Sequence, residues 1–125
     1  MKLRNLFLLN TAVALLFALG FLLIPSLLLN LFGIADNAGT KLLGQFLGVE
    51  LLVGGLITLF ARDSSDHNTR QTITLANLIA TVIGTIVSLG GVLSGAVNVL
   101  GWVIVAVYLL LALGFGYFQF IGPPE

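Results

Sequence analysis

Residues 42–61 read LLGQFLGVELLVGGLITLFA and contain one ionisable side chain, Glu50, in twenty positions. A helix of this length rises about 30 Å, which is the thickness of the hydrocarbon core of a bilayer. The apolar residues form a continuous run and do not alternate with polar ones, which argues against a strand of a membrane barrel. The stretch is typical of a transmembrane helix.

Three further stretches have the same character, at about residues 5–24, 72–93 and 98–120, and none of the four has a lysine or arginine in its interior. The connections between them are short, so sequential helices are expected to run in opposite directions. The sequence therefore predicts one all-α domain over residues 1–125. This domain is a polytopic membrane protein, an antiparallel bundle of four transmembrane helices.

The composition of the whole chain agrees with this prediction. The 125 residues are 58% hydrophobic and 8% charged, whereas soluble domains carry roughly 25% charged residues. Such a composition excludes a soluble enzyme, a nucleic-acid binder and a disordered chain. Five basic and five acidic residues cancel, and there is no cysteine. We therefore expect no nucleic-acid partner, no disulfide and no thiolate metal site.

The positions of the cations predict the orientation. Lys2, Arg4, Arg62 and Arg70 fall on one side of the predicted membrane, and Lys41 alone falls on the other. Short loops rich in lysine and arginine stay on the cytoplasmic side. We expect both termini, and the loop between the second and third helices, to be cytoplasmic in a protein of the cell inner membrane.

Small and polar residues mark the predicted packing faces, because helices in lipid associate through close backbone contact and interhelical hydrogen bonds. The third helix carries small residues at four-residue spacing and is expected to sit centrally between two neighbours. Two asparagines at similar depth, in the first and third helices, are expected to hydrogen-bond each other. The candidate packing residues are Asn10, Asn77, Gly54, Gly55, Gly84 and Ser88.

Glu50 lies near the middle of the second helix, where a charge costs a few kcal/mol and needs a polar partner. Depth counting places Tyr108, Thr81 and Thr85 at the same level, and a hydrogen bond between Glu50 and Tyr108 is the specific prediction. Two interpretations stay open. Glu50 is either an interhelical contact or a functional group: a proton carrier, a cation site or a polar contact for a lipid-like ligand.

The rest of the Glu50 face is apolar, which favours a lipid or quinone pocket over an aqueous ion path. The residues of this face are Leu43, Phe46, Leu47, Gly54 and Ile57.

Other chemistries lack the residues they need. His67 is the one histidine, so a single chain cannot supply two histidines to a haem. No nucleophile with a base and an orienting group is present. Asp63, Asp66 and His67 share a polar loop and are typical of a hydrated turn. We expect no catalytic residue, no metal and no cofactor.

Residues 48–62, GVELLVGGLITLFAR, resemble the second helix of DoxX-like membrane proteins. That helix carries a glutamate, then a glycine pair, and closes with a basic residue; here these are Glu50, Gly54, Gly55 and Arg62. Chain length and the four-helix layout are similar too. Residues 25–29 and 98–102 are more similar to uncharacterised small four-span bacterial proteins. The resemblance to the DoxX group implies a membrane subunit linked to quinone or thiol redox systems.

The expected function is that of a non-catalytic accessory or assembly subunit of a redox-type membrane complex, which holds a lipid or quinone against Glu50. A homodimer or a larger complex partner is expected to use the small-residue faces. The alternative is a small proton- or cation-coupled transporter or channel that uses Glu50. A transporter needs polar groups toward both sides, such as Gln45 and Ser88 outward and Asn77 and Asn10 inward.

Overall fold

The computed structural model describes residues 2–122, and this part of the chain is all-helical with no strand. Four of its helices are long and apolar enough to cross a membrane, which indicates a multi-pass membrane protein and confirms the prediction of four helices of spanning length. The four are α1, α3, α4 and α5, and the remaining helix, α2, is short. The helices are α1 (Leu3–Leu23), α2 (Pro25–Leu31), α3 (Ala38–Ala61), α4 (His67–Leu93) and α5 (Gly101–Phe120).

Polar caps start two of the spans earlier than hydropathy indicates. Asn37 caps α3: its side chain accepts from the Thr40 amide at 3.0 Å, and the Thr40 hydroxyl accepts from the Asn37 amide at 3.0 Å. Such a reciprocal pair satisfies two free amides of the first turn. Asp66 caps α4 by accepting from the Asn68 amide at 3.2 Å. The predicted loop between the second and third spans is therefore shorter, because residues 67–70 already belong to α4.

The four long helices pack as two pairs, α1 along α3 and α4 along α5, with few contacts between the pairs. The predicted central position of the third span is wrong, because α4 packs along its length against α5 alone and is the most exposed of the four spans. One neighbour fills its small face. A Cβ added to Gly84 would lie 2.5 Å from Cε1 of Tyr108 on α5.

Hydrogen bonds between side chains join α1 to α3. The Thr11 and Thr58 hydroxyls are hydrogen-bonded at 2.8 Å, and Asn10 Nδ2 donates to Thr58 Oγ1 at 3.3 Å. The expected bond between Asn10 and Asn77 is not formed: Asn77 Nδ2 donates instead to the Ile73 carbonyl of its own helix at 2.9 Å. Because α1 packs along α3, the nearest polar partner of Asn10 is on α3.

Thr58 is completely buried, so its replacement by valine removes the hydroxyl while keeping the shape. We expect Thr58→Val to lower the free energy of unfolding by about 1 kcal/mol, the usual size of an interhelical hydrogen bond in a membrane. Steric trapping in bicelles measures this quantity. Thr85→Val is the control, because the Thr85 hydroxyl donates to Thr81 of its own helix at 2.7 Å. Equal losses in both variants would contradict a stabilising role for the contact between α1 and α3.

The two pairs meet at both ends of the molecule. At one end a buried apolar cluster joins α1, α3 and α5, and in it the rings of Phe7 and Phe115 lie 6.4 Å apart. At the other end Asn98 is hydrogen-bonded to the C-terminal end of α2. Its side-chain amide donates to the Leu31 carbonyl at 2.8 Å, and its backbone amide donates to the Phe32 carbonyl at 2.9 Å.

An exposed ion pair ties the start of α1 to the turn after α3, since Arg4 Nε donates to Asp63 Oδ1 at 2.6 Å. This hydrogen bond, together with the charges of Arg4, Arg62 and Arg70, lowers the pKa of Asp63 below its ordinary value of 3.8. A carboxyl whose pKa is lower in the folded state stabilises the fold above its unfolded pKa, and the contribution disappears as the pH falls through the folded pKa.

We therefore expect Asp63→Asn to speed hydrogen exchange in the first turn of α1 at about pH 6, with the difference vanishing toward about pH 2. The effect is small because both side chains are largely exposed. Asp36→Asn is the matched control, since Asp36 pairs with Lys41 at 3.8 Å, away from this turn. A difference from wild type that is the same at both pH values would refute this origin.

Candidate functional site

A cavity of about 290 Å³ lies between the two helix pairs, and all four spanning helices line it. Its lining is mostly apolar. The polar side chains that line it are those of Asn10, Glu50, Asn77, Thr81 and Tyr108. A largely apolar cavity with a few polar groups, near 300 Å³ in volume, is typical of a small-molecule site.

Glu50 stands at the edge of this cavity, at the middle of α3. Its side chain is exposed, and it lines the cavity together with Leu47 and Gly54. Phe46 and Ile57, which the sequence placed on the same face, are 58% and 47% exposed and are not among the lining residues. Glu50 is therefore exposed and contributes to the lining of a cavity that is partly open to the outside.

Tyr108 lies with the other helix pair. Its ring packs against Gly84 of α4, where an added Cβ would be 2.5 Å from Cε1 and 2.6 Å from Cδ1. Glu50 and Tyr108 both line the cavity, but the predicted hydrogen bond between them is not formed within residues 2–122. The physical reason is that the contact with Gly84 holds the phenol against α4, while Glu50 belongs to the pair across the cavity.

The threonines of α4 bond to their own helix. Thr81 Oγ1 donates to the Asn77 carbonyl at 2.7 Å and lines the cavity beside Asn77. Thr85 Oγ1 donates to the Thr81 carbonyl at 2.7 Å, and Thr85 is not a lining residue. Hydroxyls bonded in this way are partly satisfied by the backbone, so Glu50 and Tyr108 are the polar side chains most available to a ligand.

The predicted packing residues divide between contacts and cavity. A Cβ on Gly55 would lie 3.2 Å from that of Ala14 on α1, so this glycine allows a close helix contact. A Cβ on Gly54 would meet no atom within 4 Å, and Gly54 lines the cavity. Ser88 Oγ donates to the Gly84 carbonyl of its own helix at 2.7 Å.

Sequence reasoning missed two aromatic residues of the site, Phe17 and Phe21 of α1, which line the cavity with Asn10 and Ala14. The spacing of these four positions is four, three and four residues, which places them on one helix face. That spacing could have identified the two aromatic residues as part of one face. However, aromatic residues are common in apolar spans, so their presence alone does not indicate a site. It also missed Thr58, whose hydroxyl joins α3 to α1.

The fold and cavity together define a class: a membrane protein with four helices of spanning length and a mid-depth cavity between two helix pairs. Comparison with protein-family models, with curated proteins and with solved structures finds no match. The similarity to DoxX-like proteins therefore rests on residues 48–62 and the four-helix layout, and it stays a prediction.

Proposed function

We propose that this chain is a non-catalytic protein of the inner membrane that holds a lipid or quinone in the cavity beside Glu50. In this proposal it acts as an accessory or assembly subunit of a redox-type membrane complex. The observation that carries the ligand-binding role is the cavity itself, which combines an apolar lining with the carboxyl of Glu50 and the phenol of Tyr108. The subunit role is supported by the DoxX-like residues 48–62.

The proposal includes an antiparallel bundle with both termini in the cytoplasm. Contacts between α1 and α3 support opposite directions, because Thr11 bonds to Thr58 whereas the later residue Ala18 lies beside the earlier residue Gly48. The charges support the orientation. Arg4 and Arg62 meet at Asp63 at one end of the molecule, and loops rich in such cations remain cytoplasmic.

A mostly apolar, partly open cavity with Glu50 in its lining favours a ligand that is dissolved in the bilayer. Such a ligand reaches the cavity from the side, with its polar group at Glu50 and its apolar part among the lipid chains. The polar atoms of a ligand at this depth need protein partners because no water is present to solvate them. Glu50 and Tyr108 supply those partners.

The alternative function is a small proton- or cation-coupled transporter, and the exposed carboxyl of Glu50 at mid-depth is the observation that favours it. Its polar route is one-sided. Asn10 and Asn77 line the cavity on the inward side, but the outward residues Gln45 and Ser88 are not among the lining residues. This asymmetry supports ligand holding over transport.

Native mass spectrometry of the protein, gently extracted from its own host's membranes, tests the proposal. We expect an adduct of lipid or quinone mass, or a bound protein partner. Gly54→Leu fills the cavity without meeting any atom within 4 Å of the new Cβ, so we expect the adduct to disappear while the fold is kept. Gly90→Leu is the matched control, because its Cβ also meets nothing and Gly90 does not line the cavity.

An adduct that survives in Gly54→Leu would place the ligand elsewhere on the protein. A bare wild-type chain would contradict ligand holding. Proton or cation flux in liposomes then decides about the alternative, which requires flux by the wild type and its loss in Glu50→Gln. Because glutamine is nearly the same size as glutamate and still forms hydrogen bonds but carries no charge, this variant separates the loss of the carboxyl group from the loss of packing.

A further inference from the structure

We infer that the ligand of the cavity is an amphiphile with an ammonium head group on an apolar tail. This inference rests on the proposed role of the cavity as a ligand site and narrows its chemistry. Among the cavity-lining residues of the described chain, Glu50 is the one acidic side chain, and there is no lysine, arginine or histidine. A cationic head group matches this charge, whereas an anionic one would meet a carboxylate with no compensating cation.

The aromatic residues of the cavity support the same chemistry. Phe17 and Phe21 of α1 and Tyr108 of α5 line the cavity together with Glu50. The face of an aromatic ring attracts a cation, and such rings recognise quaternary ammonium groups where water is excluded. A carboxyl and three rings from three different helices therefore line one cavity, and this composition suits an ammonium group.

Glu50 has no partner of its own within residues 2–122, where no hydrogen bond or ion pair reaches its carboxyl. The ion pairs of Arg4, Arg62 and Lys41 lie at the ends of the spans. A mid-depth carboxylate is costly without a counter-charge. An ammonium ligand supplies that counter-charge from outside the chain.

The size and opening of the cavity decide how the amphiphile lies. The volume of about 290 Å³ exceeds that of a trimethylammonium group, so the head group fits inside. Glu50 is exposed on α3 and also lines the cavity. The head group therefore lies inside beside Glu50, and the tail extends out of the cavity among the lipid chains.

Three photoreactive probes of equal chain length test this inference: an alkyl trimethylammonium, an alkyl alcohol and an alkyl phosphate. Each carries a diazirine near its head group and is offered to the full chain in neutral maltoside micelles. Peptide mapping then measures cross-linking to the cavity. We expect the ammonium probe to label cavity peptides at least about tenfold more than the other two, as a charge pair in an apolar site predicts.

Three variants show whether the labelling depends on the carboxyl of Glu50 and on the space inside the cavity. Glu50→Gln should reduce labelling by the ammonium probe to the level of the alcohol probe, Gly54→Leu should abolish labelling by all three, and Gly90→Leu should match wild type. Should Glu50→Gln fail to fold, the ranking of the three probes on the wild-type chain decides by itself.

The ammonium inference and the proposed function can fail separately. If the alcohol or the phosphate probe labels the cavity as strongly as the ammonium probe, the ammonium inference is overturned while the ligand site stands, provided that Gly54→Leu blocks the labelling. If no probe labels the cavity in a way that Gly54→Leu blocks, both the inference and the proposed function are overturned.

Discussion

Replacing Gly84 with valine is expected to lower the free energy of unfolding by about 2 kcal/mol, the usual cost of forcing extra carbons into a packed contact. A Cβ at this position would lie 2.5 Å from Cε1 and 2.6 Å from Cδ1 of Tyr108, closer than carbon atoms approach without displacement. The phenol ring must therefore move away from α4, and the space available to it is the cavity. Unfolding by steric trapping, or the melting temperature in detergent, measures the loss.

Two further variants test that explanation. Gly90→Val has the same chemistry on the same helix, but its Cβ meets no atom within 4 Å, so we expect little change. Tyr108→Ala removes the obstructing ring. In that background, we expect adding Gly84→Val to cost little further stability, so the double variant should be nearly as stable as Tyr108→Ala alone. Additive losses in this double-mutant cycle would show that the ring is not what opposes the new side chain.

Replacing Gly48 with leucine is expected to be more damaging still, with a loss of about 3 kcal/mol or failure to fold. The new Cβ would lie 2.9 Å from Cγ of Leu22 and 3.0 Å from the backbone carbonyl oxygen of Ala18. A side chain can rotate away, but a helix backbone moves only as a whole. Helix α1 would have to separate from α3, and the hydrogen bond between Thr11 and Thr58 would be lost with it.

Gly54→Leu is the matched control on the same helix, since its Cβ enters open space. We expect its melting temperature to stay near that of wild type, while Gly48→Leu melts well below it or is not recovered as folded protein. Similar melting temperatures for the two variants would mean that α1 and α3 tolerate separation, and the close contact at Gly48 would not be a stabilising feature.

The four spans could be predicted from sequence because long apolar runs in a nearly uncharged chain have few alternatives to crossing a bilayer. The ends of the spans were less predictable. Asn37 and Asp66 start α3 and α4 through side-chain caps, and a hydropathy pattern treats such polar residues as loop. A helix cap depends on the positions of backbone amides relative to a side chain. A pattern of apolar residues carries no information on those positions.

Helix pairing was not predictable from the small residues of α4. Their spacing indicates a face that tolerates close approach, but it carries no information on the number of neighbours. In the structure the ring of Tyr108 occupies the space beside Gly84. The small face of α4 is therefore filled by one side chain of α5 and not by a second neighbouring helix. Large and small residues complement each other across helices, so the pairing depends on two sequences at once.

Depth along a helix was the informative part of the site prediction. It brought Glu50, Tyr108 and Thr81 to one level, and all three line the same cavity. The depth of a residue along its helix does not give the distance between two helices. Counting residues therefore could not show whether Glu50 and Tyr108 are close enough to form a hydrogen bond. Thr85 was grouped with them although it lies one turn further along α4, outside the lining.

The pairing of α1 with α3 and of α4 with α5 also bears on how the protein is made. Each pair joins stretches close in the sequence, and local contacts form quickly. The first pair can assemble while the second is still being synthesised. The cavity takes its walls from both pairs, so it comes into existence only when the second pair docks through Phe115 and Asn98. A ligand that needs walls from both pairs would bind only the completed molecule and would stabilise it by mass action.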